Sequence, residues 1–189
     1  MRALRTDDCL AKLAEQRTDE VVIAAMTSAV RWPAHSDHPR DLLYVPSTMG
    51  GVSALGLGLA LARPDVRVIV LNGDGSMLMN LGSLVTIGDQ APTNLVLVVF
   101  DNGLYAVTGG QPTPGGGRVN FAQMAAAAGW PLTRRFAELA DWARALPELL
   151  RVPGPTFVQL TVEPEPASIS PPAEPMQERL ERLVAALGR

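Results

Sequence analysis

The sequence predicts a doubly wound α/β domain, a single parallel sheet with helices on both faces. Runs rich in Val, Ile and Leu alternate with longer helical segments along the chain, the order that builds a parallel sheet. Several of these runs are continuously apolar, as in strands covered on both faces. Pro64 and Pro92 each stand just before such a run, where they end the preceding helix without breaking a ladder.

In chain order, the reading opens with a helix over 7–16 and a strand over "EVVIAAM" (20–26). An irregular stretch, 32–41, with two histidines and two prolines, leads to a strand at "LLYV" (42–45). A buried helix over 49–62, with glycines for close packing, stops at Arg63-Pro64 and is followed by the strand "VRVIVLN" (66–72). A helix over 76–88 and the strand "NLVLVVF" (94–100) come next, then the Gly- and Pro-rich stretch 103–118. Loops of that length inside a compact domain are more often functional than idle. Helices over 120–128 and 136–150 precede the last strand, "TFVQLTV" (156–162). The domain is bounded at 1–165. Residues 166–189 form a Pro-rich link and an amphipathic helix, with Leu180, Leu183, Val184 and Leu187 on one stripe and a Glu178–Arg182 pair. That helix either packs on its own domain or docks on another subunit.

A chain of 189 residues fits one well-cored domain, and a net charge of −3 with interspersed signs offers no basic stripe for nucleic acid. The single cysteine, Cys9, excludes an internal disulfide and a cysteine-built metal cluster. The start has no apolar core of signal-peptide length, and the uncharged stretch 49–62 ends before it could span a bilayer. The expectation is a cytoplasmic protein without membrane or nucleic-acid partners.

The chemistry centres on "LNGDGSMLMNLG" (71–82), where Asp74 stands between two glycines at the end of a predicted strand. Ligands of open parallel sheets bind beyond the carboxyl ends of strands. Glycines there let backbone N–H groups approach a ligand, and a helix starting near Ser76 aims partial positive charge at the same place. That suits a phosphate, yet a carboxylate would repel it unless a divalent cation sits between. Magnesium prefers oxygen ligands and commonly bridges carboxylates to a diphosphate. A second ligand is expected from the neighbouring strand, which ends in "DNGLY" (101–105). The 25 residues between Gly75 and Asp101 give room for a helix of about four turns, a loop and a return strand.

"GDGS" followed at this distance by "DNG" resembles the diphosphate-binding motif of thiamine-diphosphate-dependent enzymes. The resemblance implies that Asp74, the Asn102 side chain and the Leu104 main-chain oxygen bind Mg2+, and that Gly73, Gly75 and Ser76 hold the diphosphate. Asp101 matches a position less often a direct ligand. "STMGGVSALGLGLALA" (47–62) is similar to the segment that grips the aminopyrimidine, which implies a bent cofactor held over Met49 beside Gly50, with the Ser47 carbonyl accepting from the amino group. "DNGLYAVTGGQ" (101–111), including Tyr105, is similar to the run in sulfopyruvate and phosphonopyruvate decarboxylases.

In that family the glutamate that activates the cofactor comes from a second, pyrimidine-binding domain, and no glutamate here matches it. The expectation is therefore the diphosphate-binding subunit of a heteromeric 2-oxo acid decarboxylase whose active site forms against a pyrimidine-binding partner. Arg31, His35 and His38 are candidates to meet an anionic substrate, and Thr108 and Gln111 to reach substrate or cofactor from a closing loop. Other readings stay open: a carboligase or oxidoreductase subunit with the same cofactor, or a non-catalytic structural subunit. A nicotinamide-binding domain would need G-x-G-x-x-G, and the nearest candidate, Gly56-Leu57-Gly58, has Leu61 at its third small position and lies in a helical segment.

Overall fold

The computed structural model describes residues 4–44, 49–165 and 174–188. The elements are α1 (Thr6–Gln16), β1 (Val21–Ala25), α2 (Thr27–Arg31), β2 (Asp41–Tyr44), α3 (Val52–Ala62), β3 (Val68–Gly73), α4 (Asp74–Leu78) and α5 (Gly82–Gln90). They continue with β4 (Leu95–Asp101), the short strands β5 (Leu104–Tyr105) and β6 (Gln111–Pro112), α6 (Phe121–Ala127), β7 (Leu132–Phe136), α7 (Leu139–Leu149), β8 (Thr156–Thr161) and α8 (Met176–Leu187). Six strands make one sheet in the order β2-β1-β3-β4-β8-β7, parallel throughout. β5 and β6 pair antiparallel as a separate hairpin.

The continuous apolar runs have a direct explanation in the two cores. Val21, Ile23, Val68, Val70, Leu95, Leu97 and Phe157 face one side, against Leu57 of α3, Leu84 of α5, Ala125 of α6 and Leu183 of α8. The alternate residues Val22, Ala24, Ile69, Leu71, Val96, Val98 and Val158 face the other, against Leu10 and Leu13 of α1, Trp32, and Trp142 and Leu146 of α7. Both faces of each central strand are therefore apolar. Gly56 lies in α3 with its missing Cβ only 2.2 Å from Val70 Cγ2, so this glycine permits close helix–sheet packing and is no part of a nucleotide turn.

Four expectations are corrected. The single helix expected over 76–88 is two helices, α4 and α5, split at Met79–Leu81, because the Asn80 side chain turns away to donate to Gly50 O at 3.0 Å. Phe136 ends a strand rather than starting a helix, and α7 begins at Leu139. The strand β7 itself was not expected: it is an edge strand paired only with β8, and exposed Arg134 and Arg135 replace the apolar signal, as charged residues often do at sheet edges. The stretch after β1 also carries an unexpected helix, α2, and a single 3-10 turn at Trp32–Ala34.

At the C-terminal end, α8 lies against its own domain: Leu183 is buried, and Arg40 and Arg63 donate to the carbonyls of Ala186 and Leu187. These cations stand at the negative end of the helix dipole. Most of the Pro-rich link falls outside the described residues. No helix among the described residues is long and apolar enough to cross a membrane.

Candidate active site

The chain leaves β1 for the edge strand β2 and then crosses back to β3, so a crevice opens at the carboxyl ends of β1 and β3 where the winding reverses. An open cleft lies there, lined after β1 by Met26, Thr27 and Ser28, at the end of β3 by Gly73–Ser76, and at and after the end of β4 by Phe100, Asn102 and Leu104–Thr108. Met49 and Thr6 complete the wall.

Asp74 is the first residue of α4 and only 2% exposed. Its Oδ2 accepts from the Gly103 N–H at 3.1 Å and from the Thr113 hydroxyl at 3.1 Å. Burial, and next the neighbouring Asp101 carboxylate, push its pKa up to about 6 against the pull of those donors. Asp101 is also buried, and its Oδ2 accepts from Gln159 Nε2 at 2.7 Å. Gln159 in turn accepts from Ala122 N–H and donates to Val119 O, so the end of β4 is tied to the entry of α6.

The surrounding turns are fastened to one another. Asn102 Oδ1 accepts from the Leu104 N–H at 2.9 Å, a local turn that fixes the side chain and leaves the oxygen a second lone pair. Tyr105 packs over Gly75, where an added Cβ would come within 2.6 Å of the ring. Ser76 Oγ accepts from the Gly50 N–H at 2.9 Å, and Gly50 has a φ of +84°, a conformation L side chains rarely adopt.

The fold thus brings Met49, Gly73, Asp74, Gly75, Ser76, Asn102, Leu104, Tyr105 and Thr108 to one cleft, with Gly50 just behind Ser76. Ser47 lies outside the described residues. Gln111 is exposed on β6 and away from the lining. Arg31, His35 and His38 do not reach the cleft. Arg31 pairs with Asp7 at 2.5 Å and with Glu165 at 2.8 Å, while His35 stands 3.5 Å from Asp7. His38 Nδ1 is 3.1 Å from Arg17 Nη2, and burial together with that guanidinium holds its pKa below the ordinary value.

Sequence reasoning missed Thr27, Ser28, Thr113 and Gln159. The first two follow β1 at the switch point, so their position was readable once the strand order was known. Thr113 and Gln159 are marked by nothing local; only their tertiary hydrogen bonds reveal them.

Residues 25–160 match the thiamine pyrophosphate enzyme family, C-terminal TPP binding domain. The chain belongs to this family. Among thiamine-diphosphate relatives, a phosphonopyruvate decarboxylase of Streptomyces viridochromogenes is 40% identical over 80% of this chain, and the match takes in 38% of that longer protein. A sulfopyruvate decarboxylase subunit beta of Methanothermobacter thermautotrophicus is 39% identical over 78% of this chain and 76% of its own length. A solved benzoylformate decarboxylase from Polynucleobacter necessarius superposes with a TM-score of 0.71 at 20% identity, covering 88% of this chain and 34% of that one, a likeness of fold.

The residues at the cleft fit the family's cofactor. One carboxylate, one amide oxygen and a nearby main-chain carbonyl are the hard oxygen donors that magnesium takes. Among the described residues no group of three His, Cys, Asp or Glu side chains clusters as a metal site. The close approach of Tyr105 to Gly75 and the left-handed turns at Gly50 and Gly103 keep the backbone around Asp74 compact.

Proposed function

We propose that this chain is the diphosphate-binding subunit of a heteromeric thiamine-diphosphate-dependent decarboxylase. It acts on sulfopyruvate, phosphonopyruvate or a similar 2-oxo acid to give an aldehyde and carbon dioxide. One observation carries the reading: the buried Asp74 carboxylate and the Asn102–Leu104 turn meet at the carboxyl ends of β3 and β4, joined by the Gly103 N–H bond to Asp74. Thiamine diphosphate, when bound, supplies the electron sink that decarboxylation of a 2-oxo acid needs.

The chain's own residues then have distinct tasks. Asp74, the Asn102 amide oxygen and the Leu104 carbonyl would hold Mg2+, which would supply the positive charge that lets a diphosphate bind beside the carboxylate. Gly73, Gly75 and Ser76 offer close backbone approach to that diphosphate. Met49 would support the ring system and the Ser47 carbonyl would accept from its amino group, while Tyr105 covers Gly75 at the cleft.

The partner reading rests on the chemistry of the lining. Among the described residues that line the cleft, Asp74 is the sole carboxylate and none is cationic. A glutamate to activate the pyrimidine and a cation to meet a sulfonate or phosphonate are assigned to a pyrimidine-binding subunit. The likeness to a protein named as a subunit beta points the same way. A second reading, carboligation, is favoured by 29% identity to the acetolactate synthase isozyme 1 large subunit of Escherichia coli over 78% of this chain.

The test is reconstitution. The chain is assayed alone and mixed with a pyrimidine-domain partner, with thiamine diphosphate, Mg2+ and a panel of 2-oxo acids, scoring aldehyde and acetohydroxy acid. Aldehyde from the mixture alone is expected. Full turnover by the isolated chain defeats the heteromeric reading, and condensation products in place of aldehyde favour the carboligase. Cofactor binding in neither sample favours a structural subunit.

A further inference from the structure

The hairpin β5–β6 and the turn after it are largely solvent-facing: Gln111, Pro112, Pro114, Gly116 and Gly117 are all exposed. Thr113, in their midst, is 4% exposed. Its N–H donates to Gly103 O at 2.9 Å, its carbonyl accepts from Gly116 N–H at 2.9 Å, and its hydroxyl reaches Asp74 Oδ2 at 3.1 Å. The same Oδ2 accepts the Gly103 N–H, so the start and the end of the hairpin converge on one carboxylate oxygen. Thr113 Cγ2 also lies 3.4 Å from where a Cβ on Gly75 would stand.

A carboxylate held at Oδ2 by two donors from the two ends of the hairpin cannot rotate freely, and Oδ1 is left as the oxygen that meets a cation. The reverse also holds. A cation bound at Oδ1 fixes the carboxylate in the orientation that both donors on Oδ2 need, which holds the hairpin down.

We propose that Thr113 is a positioning residue, a latch through which hairpin docking and binding of a divalent cation with its diphosphate support each other. The proposal rests on the reading of Asp74 as a cation ligand. It assigns the hairpin a single hydroxyl as its point of control.

Two variants separate the hydroxyl from the packing: Thr113→Val keeps the shape and loses the donor, and Thr113→Ser keeps the donor. Amide hydrogen exchange over residues 103–117 in the metal-free chain reads the latch without any cofactor. Calorimetric Mg2+ affinity at fixed thiamine diphosphate, in the assembled protein, reads the coupling. Thr113→Val is expected to speed hairpin exchange and weaken Mg2+ each by about tenfold or more, the size of one hydrogen bond to a charged group. Thr113→Ser is expected to restore both. Wild-type exchange in Thr113→Val overturns the latch, as does a Thr113→Ser variant as impaired as Thr113→Val. A wild-type assembly that takes up neither Mg2+ nor thiamine diphosphate overturns the cofactor reading and the coupling with it, while exchange still decides the latch. If Thr113→Val does not fold, Thr113→Ala set against Thr113→Ser makes the same comparison.

Discussion

Two buried aspartates stand at opposite ends of the sheet and are treated in opposite ways. Asp41, at the amino end of β2, is 7% exposed and sits 2.9 Å from the guanidinium of Arg17, which is itself buried. Ser36 Oγ at 2.5 Å and the His38 N–H at 3.2 Å donate to its other oxygen. Asp74, at the carboxyl end of β3, has only neutral donors and a second carboxylate, Asp101, beside it. The first charge is neutralised within the chain, as stability demands of a buried ion. The second has no cation beside it among the described residues, a contrast in how two buried charges are surrounded that marks Asp74 as a candidate for binding.

The largest effect that would sharpen this contrast is on ligand binding. Asp74→Ala is expected to abolish Mg2+-dependent uptake of thiamine diphosphate by the assembled protein while the fold persists, measured by calorimetry alongside circular dichroism. Retained cofactor uptake would remove Asp74 from the metal site. Asp41→Ala should do the reverse: with Arg17 left buried and unpaired, thermal or urea unfolding should show a loss of about 3–5 kcal/mol. A variant as stable as wild type would break the comparison at the amino end.

The smallest effect concerns pH. The folded pKa of Asp74, about 6, lies above its ordinary 3.8, so between those values the folded chain binds more protons than the unfolded one. The metal-free chain should therefore lose stability as pH rises from about 4 to about 6, by an amount of order 1–3 kcal/mol from this group. Asp74→Asn should flatten that slope, and Mg2+ affinity in wild type should fall as pH drops below about 6, because proton and metal compete for one carboxylate. Urea titrations across that range check the first two, and calorimetry at several pH values checks the third.

Much of the fold was legible along the chain. The buried strands announce themselves by continuous Val, Ile and Leu, because both faces are covered, and Pro64 and Pro92 punctuate them. The edge strand β7 escaped notice because an edge needs little apolar surface and carries Arg134 and Arg135 instead. The break between α4 and α5 escaped because its cause, Asn80 bonding to Gly50, joins residues far apart in sequence. At the site, Asp74, Asn102 and the glycines were readable from local motifs that any such turn requires. The candidates Arg31 and His38 stand outside the cleft with partners of their own, since a polar side chain in sequence says nothing about the neighbour that will take it.

The sequence by itself determined the class of fold and that a glycine-flanked turn carries Asp74 at a strand end, because hydrophobic period and glycine placement act over a few residues. The tertiary structure alone decided which strand ends become neighbours. It also decided that Thr113 closes the hairpin on Asp74 and that Gln159 holds Asp101. A hydrogen bond between a hairpin and a strand end depends on where the whole sheet puts them, and nothing in the residues on either side encodes that distance.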